Sequence, residues 1–286
     1  MLMAIALAVG TALGWGASDF FGGAARRATP VFVIVAAGEL LGLVVLIPVL
    51  LARGIPLPHS PRLLFASAAG LGVTVELGVI YLALSRGEAF ITAPVGAAGA
   101  ALAVIFGIIG GDPIDITIAV GLLCALLGGA LSASTPTSRN SRHGTLRSTG
   151  LAAGAAGGVA AGLICLHAAG RVDPTWATAT EHTTTAISAG LVASVPRGTP
   201  FRQRFPKPRQ LPAITLVGLT GLGGDLAYAT ASQHGALTSV SAISSLYPIT
   251  TIALSIVIQH HRPERTQAFG IVLALIGAAT LGAATP

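Results

Sequence analysis

Residues 33–46 read VIVAAGELLGLVVL, with a single charged side chain, Glu39, among fourteen residues that are otherwise apolar. The apolar run continues on both sides, from about 31 to 51. At about 1.5 Å rise per residue, a helix of that length crosses a hydrocarbon core of about 30 Å. An ionised carboxylate near the middle of such a helix costs roughly 2.5–3.5 kcal/mol on insertion scales. Glu39 therefore needs either a partner or a use.

Nine further stretches have the same character, near 3–25, 63–84, 88–110, 116–134, 149–170, 174–195, 211–233, 236–258 and 267–284. Composition agrees: 53% of the 286 residues are hydrophobic and 9% charged, against about 25% charged in an ordinary soluble domain. Mean hydropathy is +0.81. Runs this long exclude barrel strands, so the sequence predicts an all-α integral membrane protein of ten helices. The opening segment, MLMAIALAVGTALGWGASDFFGG, lacks a basic n-region and is read as a retained first membrane helix. Cys124 and Cys165 fall inside apolar runs and read as small buried side chains.

The net charge of +6 does not point to nucleic acid, because no basic face with interleaved aromatics occurs. The sixteen Lys and Arg residues sit in short connections such as RRATP at 26–30, RGIPLPHSPR at 53–62, STPTSRNSRHGTLRS at 134–148 and PRGTPFRQRFPKPRQ at 196–210. In such places basic residues fix topology and meet lipid headgroups. None of these connections is long enough to hold a soluble domain.

The chain repeats itself. The stretch beginning at Ala83 matches the one beginning at Ala231: Gly87 pairs with Gly235 and, after one inserted residue, Gly121 pairs with Gly270 and Gly128 with Gly277. The expected division is a first five-helix repeat over 1–135, a basic linker over 136–148 and a second five-helix repeat over 149–286. An odd number of helices per copy sends the second copy through the membrane inverted. Inverted repeats around a midplane site are a recurring transporter design.

Five of the ten acidic residues, Glu88, Asp112, Asp115, Asp173 and Glu264, lie in loops or at helix ends. The other five, Asp19, Glu39, Glu76, Glu181 and Asp225, lie within the expected spans, where no Lys or Arg occurs. Glu39 and Glu181 are related by the repeat, as are Glu76 and Asp225. Acids buried without basic partners are protonated, hydrogen-bonded, or neutralised by an exchangeable proton or cationic solute. The structural alternative is that they are protonated groups bridging helices. His167 and His182 also fall in spans. His182 follows Glu181 directly, but adjacent helix residues point about 100° apart and do not form a simple pair. Each histidine reads first as a structural hydrogen-bonding group and second as a proton relay. The ninth span, ALTSVSAISSLYPITTIALS from residue 236, places Thr238, Ser241 and Ser244 near one face. Pro248 there frees the Ser244 carbonyl. No metal or cofactor is expected.

Tyr247-Pro248 through Gly270 and Gly277, together with Trp15-Gly16 in the first helix, resembles the drug/metabolite transporter superfamily in its EamA-like branch. The likeness covers essentially the whole chain. It departs at the family's Glu position, which is Asp112 beside Gly111 in the first copy and His261 in the second, both read as interfacial anchors. It departs again at the position matching Pro248, which is Gly99 in the first copy, with Pro94 five residues earlier. The resemblance implies a secondary transporter, multi-pass in the cytoplasmic membrane and working as monomer or homodimer. Its solute would be a small metabolite such as an amine, amino acid or drug-like compound, with export the expected direction. Uptake of a sugar or nucleoside-like solute is the alternative. Protons would couple through Glu39, Glu76, Glu181, Asp225 and Asp19. Trp15, Tyr228, Ser241, Ser244, Tyr247 and Pro248, which combine polar or aromatic character with the family motifs, would line the pathway.

An intramembrane enzyme is disfavoured by its missing motifs. HExxH is absent, GLGGD at 221–225 has Leu222 where an aspartyl-protease GxGD needs Gly, and Gly16-Ala-Ser18-Asp lacks the Gly that would follow a rhomboid-like nucleophile. No GxxxxGK[ST] loop is present, so a gradient would supply the energy. On orientation, charge and resemblance disagree. Relatives are usually drawn with both termini in the cytoplasm, which would leave only Arg53, Arg62 and Arg171 in the cytoplasmic loops and put thirteen basic residues opposite. Retention of basic residues inside favours external termini.

Overall fold

A computed structural model of the chain describes residues 2–25, 29–85, 92–132, 145–195, 206, 208–260 and 264–283. Among these residues there are eleven α-helices and no strand: α1 Leu2–Ala25, α2 Val31–Arg53, α3 Leu64–Ser85, α4 Thr92–Ile109, α5 Ile116–Ser132, α6 Thr145–Gly170, α7 Pro174–Ser194, α8 Leu211–Ala231, α9 Leu237–Ser244, α10 Tyr247–Gln259 and α11 Arg265–Ala283. Among the described residues five stretches are long and apolar enough to cross a membrane: Leu2–Ala25, Val31–Arg53, Ala153–Gly170, Pro208–Ala231 and Leu237–Gln259. Large apolar side chains such as Leu13, Leu40, Val44 and Leu51 are exposed on the outside, as a lipid-facing surface requires.

The expected ninth span is not one continuous helix. It breaks at Ser245–Leu246 into α9 and α10. Pro248, in the first turn of α10, has no N–H to give to Ser244, and its ring would collide with that carbonyl in an uninterrupted helix. Elsewhere the ends follow local chemistry. Gly54, at φ 60°, closes α2 with its N–H on the Leu50 and Leu51 carbonyls. Asp173 caps α7 by accepting from Trp176 N at 2.8 Å, ahead of Pro174 in the first turn.

Helix α7 is polar for a membrane segment, and its hydroxyls are satisfied internally. Thr178, Thr183, Thr184 and Ser188 each donate to the carbonyl four residues back, at 2.6–2.9 Å. That lets a threonine-rich helix sit in the bundle, with Thr178, Glu181, His182 and Thr185 buried.

The most extensive contacts join the two halves of the chain: α1 with α8, α3 with α6, α2 with α7 and α5 with α11. Exchanging the halves turns α1–α8 into α6–α3 and leaves the other two pairs unchanged. The finest sign of this exchange lies between α5 and α11. A Cβ at Gly128 would come within 2.7 Å of Ala274 Cβ, and one at Gly277 within 2.8 Å of Ala125 Cα. These are the same contact made twice, with partners swapped. Small residues let the backbones approach, which is how helices associate where lipid offers no hydrophobic driving force.

Candidate functional site

The stretch GELLG at 38–42 does three things on one face of α2. Gly38 lies against the Gly218 backbone of α8, where an added Cβ would sit 3.5 Å away. Glu39 points toward α7. Gly42, one turn on, leaves the notch into which the His182 ring fits, since a Cβ there would meet Nδ1 at 2.8 Å. The imidazole is 1% exposed.

His182 is the hub of a carboxylate cluster. Its Nδ1 lies 2.5 Å from Glu39 Oε2, and its Nε2 lies 3.1 Å from Asp225 Oδ2 and 3.8 Å from Glu181 Oε2. Two of these partners come from α2 and α8; the third is its own neighbour in α7. The groups do not saturate one another: Glu39 Oε2, Glu181 Oε2 and both ring nitrogens lack a well-aligned hydrogen bond. Among the described residues no Lys or Arg pairs with any of the four. The Glu39 and Asp225 side chains retain 18% and 17% exposure, so the cluster is accessible along that edge and closed at His182 and Glu181.

Neighbouring groups fix the acids. Thr185 donates to Glu181 Oε1 at 2.8 Å. The Trp15 indole donates from Nε1 to Asp225 Oδ1 at 2.7 Å. Gly224 makes this possible, because a Cβ there would lie 2.9 Å from Trp15 Nε1. The Trp15 ring stacks on Tyr228 at 5.4 Å and meets the edge of Tyr247 at 6.4 Å. Tyr228 is fully buried; its hydroxyl lies 2.9 Å from the Leu163 carbonyl, to which it donates, and 2.9 Å from the Ser241 hydroxyl. Gly16 admits the first turn of α10, and its carbonyl accepts from Thr251 at 3.0 Å.

The expected site residues thus fall into two groups. Glu39, Glu181, Asp225 and Trp15 converge on His182, with Tyr228 and Ser241 behind Trp15. Asp19, Glu76 and Tyr247 lie within electrostatic reach of one another. Asp19 is on an exposed face, and Glu76 packs beside Gly158 of α6. The repeat-related acids Glu76 and Asp225 therefore stand in different surroundings. Ser244 and Thr238 are buried with unpartnered hydroxyls, and Pro248 shapes the break beside Ser244. Asp112 accepts from Thr238 N at 2.9 Å, tying the α4–α5 connection to the start of α9; His261 lies outside the described residues. Cys124 and Cys165 are unbridged. His167 is buried in the last turn of α6.

Sequence reasoning missed the position of His182. Its partners are on other helices, and no spacing along α7 announces them. The available signal was a Glu-His pair in the interior of a span, combined with a GxxxG-type stripe flanking Glu39.

The family model described as the EamA-like transporter family matches residues 2–134 and again residues 149–283. No curated protein matches the chain in sequence. A solved structure titled only as the crystal structure of a protein shares the fold, with a TM-score of 0.77 over 97% of this chain and 95% of that one, at 18% identity.

Proposed function

The chain belongs to the EamA-like transporter family, and from that premise we propose a secondary carrier that exports a small cationic metabolite, such as an amine, in exchange for protons. An amino acid fits less well, because no Lys or Arg among the described residues stands at the site to meet its carboxylate. The observation that carries this reading is the cluster of Glu39, Glu181, Asp225 and His182, ionisable groups inside a helical bundle with no Lys or Arg partner among the described residues.

The two halves, 1–135 and 149–286, act as inverted five-helix repeats in ten spans, α9 and α10 counting as one. Glu39 is about 12 Å along α2 from its first residue and Glu181 about 10 Å along α7. With the halves inverted, these helices start at opposite faces of a core about 30 Å thick, so both acids approach the midplane. Alternating access follows from rocking of the halves about this level. The carboxylates take up protons on the side where the solute leaves and give them up to water on the side where the solute takes their place, with Asp19 and Glu76 as a second station. Trp15, Tyr228, Ser241, Ser244, Tyr247 and Pro248 form the wall, with the aromatic faces suited to a cation.

The test is purified protein in proteoliposomes under an imposed pH gradient, with candidate solutes drawn from metabolite profiles of deletion and overexpression cells. Saturable solute flux accompanied by counter-movement of protons supports the reading. Flux indifferent to the gradient removes the coupling, and absence of saturable flux removes the carrier.

A further inference from the structure

We propose that Glu39, Glu181 and His182 form a binding site for a first-row divalent transition-metal ion, with Asp225 orienting the histidine. The proposal rests on the reading of this cluster as an exchangeable-cation site and names a second cation class for it. One ligand atom from each of the three residues lies within 4.8 Å of the others. Metal–ligand bonds of about 2.0–2.2 Å place ligand atoms at most about 4.4 Å apart. Binding requires rotations that open the His182 Nδ1–Glu39 Oε2 contact, now 2.5 Å, and bring Glu181 closer.

Three observations separate this cluster from a mere group of acids. The imidazole is 1% exposed with neither nitrogen in a well-aligned hydrogen bond, and Oε2 of both glutamates is in the same condition. Nδ1 faces Glu39 Oε2 and Nε2 faces Asp225 Oδ2, so these atoms meet one another without good alignment. The second observation is the outer layer. A ligating histidine commonly donates its other ring N–H to a carboxylate, which fixes its tautomer. Nε2 of His182 lies 3.1 Å from Asp225 Oδ2, and Asp225 is held in turn by Trp15 at 2.7 Å. Thr185 does the same for Glu181 through its other oxygen. The third is charge. Two glutamates and a neutral imidazole balance a dication, whereas no Lys or Arg among the described residues offsets them.

One imidazole and two carboxylates suit Mn²⁺, Fe²⁺, Co²⁺ or Zn²⁺ better than Mg²⁺ or Ca²⁺, which favour all-oxygen shells. The spacing motif that usually betrays such sites is missing because the ligands come from two helices far apart in sequence.

The experiment uses tag-free full-length protein in detergent, stripped with EDTA and titrated with Co²⁺, followed by its visible absorption, and with Mn²⁺, followed by spin resonance. One equivalent bound tighter than about 1 mM is expected. His182→Gln should abolish it, Asp225→Asn should weaken it by about 10–100-fold, and Glu264→Gln, on the exposed surface, should leave it intact. No saturable binding to the wild-type protein, or equal binding to His182→Gln, overturns the site. Because the titration needs neither solute nor gradient, metal binding without solute flux would refute the carrier alone, and flux without metal binding would refute this site alone.

Discussion

Trp15 and Asp225 stand 210 residues apart and meet through an indole N–H donated to a carboxylate oxygen at 2.7 Å. The bond joins α1 to α8, holding one corner of the cluster in place. A hydrogen bond to a charged group contributes about 1.5–3 kcal/mol. Trp15→Phe keeps an aromatic face against Tyr228 and loses the donor. Vesicle flux should fall roughly tenfold or more, with the protein still monodisperse in detergent; unchanged flux would make the bond incidental.

The carboxylates should prove separable from mere packing. Glu39→Gln, Glu76→Gln and Asp225→Asn preserve shape and remove titration. Each should slow proton-coupled flux and flatten its dependence on pH. Wild-type rates and pH profiles in all three variants would make the acids structural.

Gly42 should tolerate no side chain. A methyl group there enters the space of the His182 ring at 2.8 Å, so Gly42→Ala should displace the imidazole and lower flux sharply. Gly23, in α1, has nothing within 4 Å of an added Cβ, and Gly23→Ala should behave as wild type. Equal activity of the two variants in the same vesicles would refute this packing.

Asp112 serves the first turn of α9. Its carboxylate accepts from Thr238 N at the start of α9, an acceptor supplied from the other half of the chain. Loss of a cap costs about 1 kcal/mol. Asp112→Ala should lower the thermal unfolding midpoint in detergent, and Asp112→Asn should restore most of it. If the two variants melt together, the contact contributes nothing.

Orientation can be read from the charged connections. With ten spans, thirteen basic residues fall on one side and three, Arg53, Arg62 and Arg171, on the other. The positive-inside rule puts the connections containing Arg142 and Lys207 in the cytoplasm and the C-terminus outside. A reporter fused after Pro286 that works only in the cytoplasm should stay silent.

The sequence was legible where a single helix carries the information. Apolar length set the spans, and the observed ends at Ala25, Ser85, Gly170 and Ser194 fall within a residue of those expected. Intramembrane charge picked out Glu39, Glu181 and Asp225 for the same reason, since a lone carboxylate in lipid is visible without neighbours. His182 was not legible as a hub. Its role depends on the notch at Gly42 and on the angle at which α2 and α8 cross α7, which no periodicity encodes. The break at Ser245–Leu246 lies between: Pro248 marked the strain, but a kinked and a divided helix share that signature.

The interlocking of the halves also bears on how the protein is made. At about 5–20 residues per second, the ribosome needs roughly 10–40 s to go from Trp15 to Asp225. Until synthesis passes α5, Glu39 sits in the bilayer without His182, and α1, α3 and α5 have none of their principal neighbours. The nascent first half is thus not a module awaiting a second module but an open shell of unsatisfied surfaces until α6, α7, α8 and α11 pack against its helices. Premature termination in the second half would leave no partial carrier, only a substrate for membrane quality control.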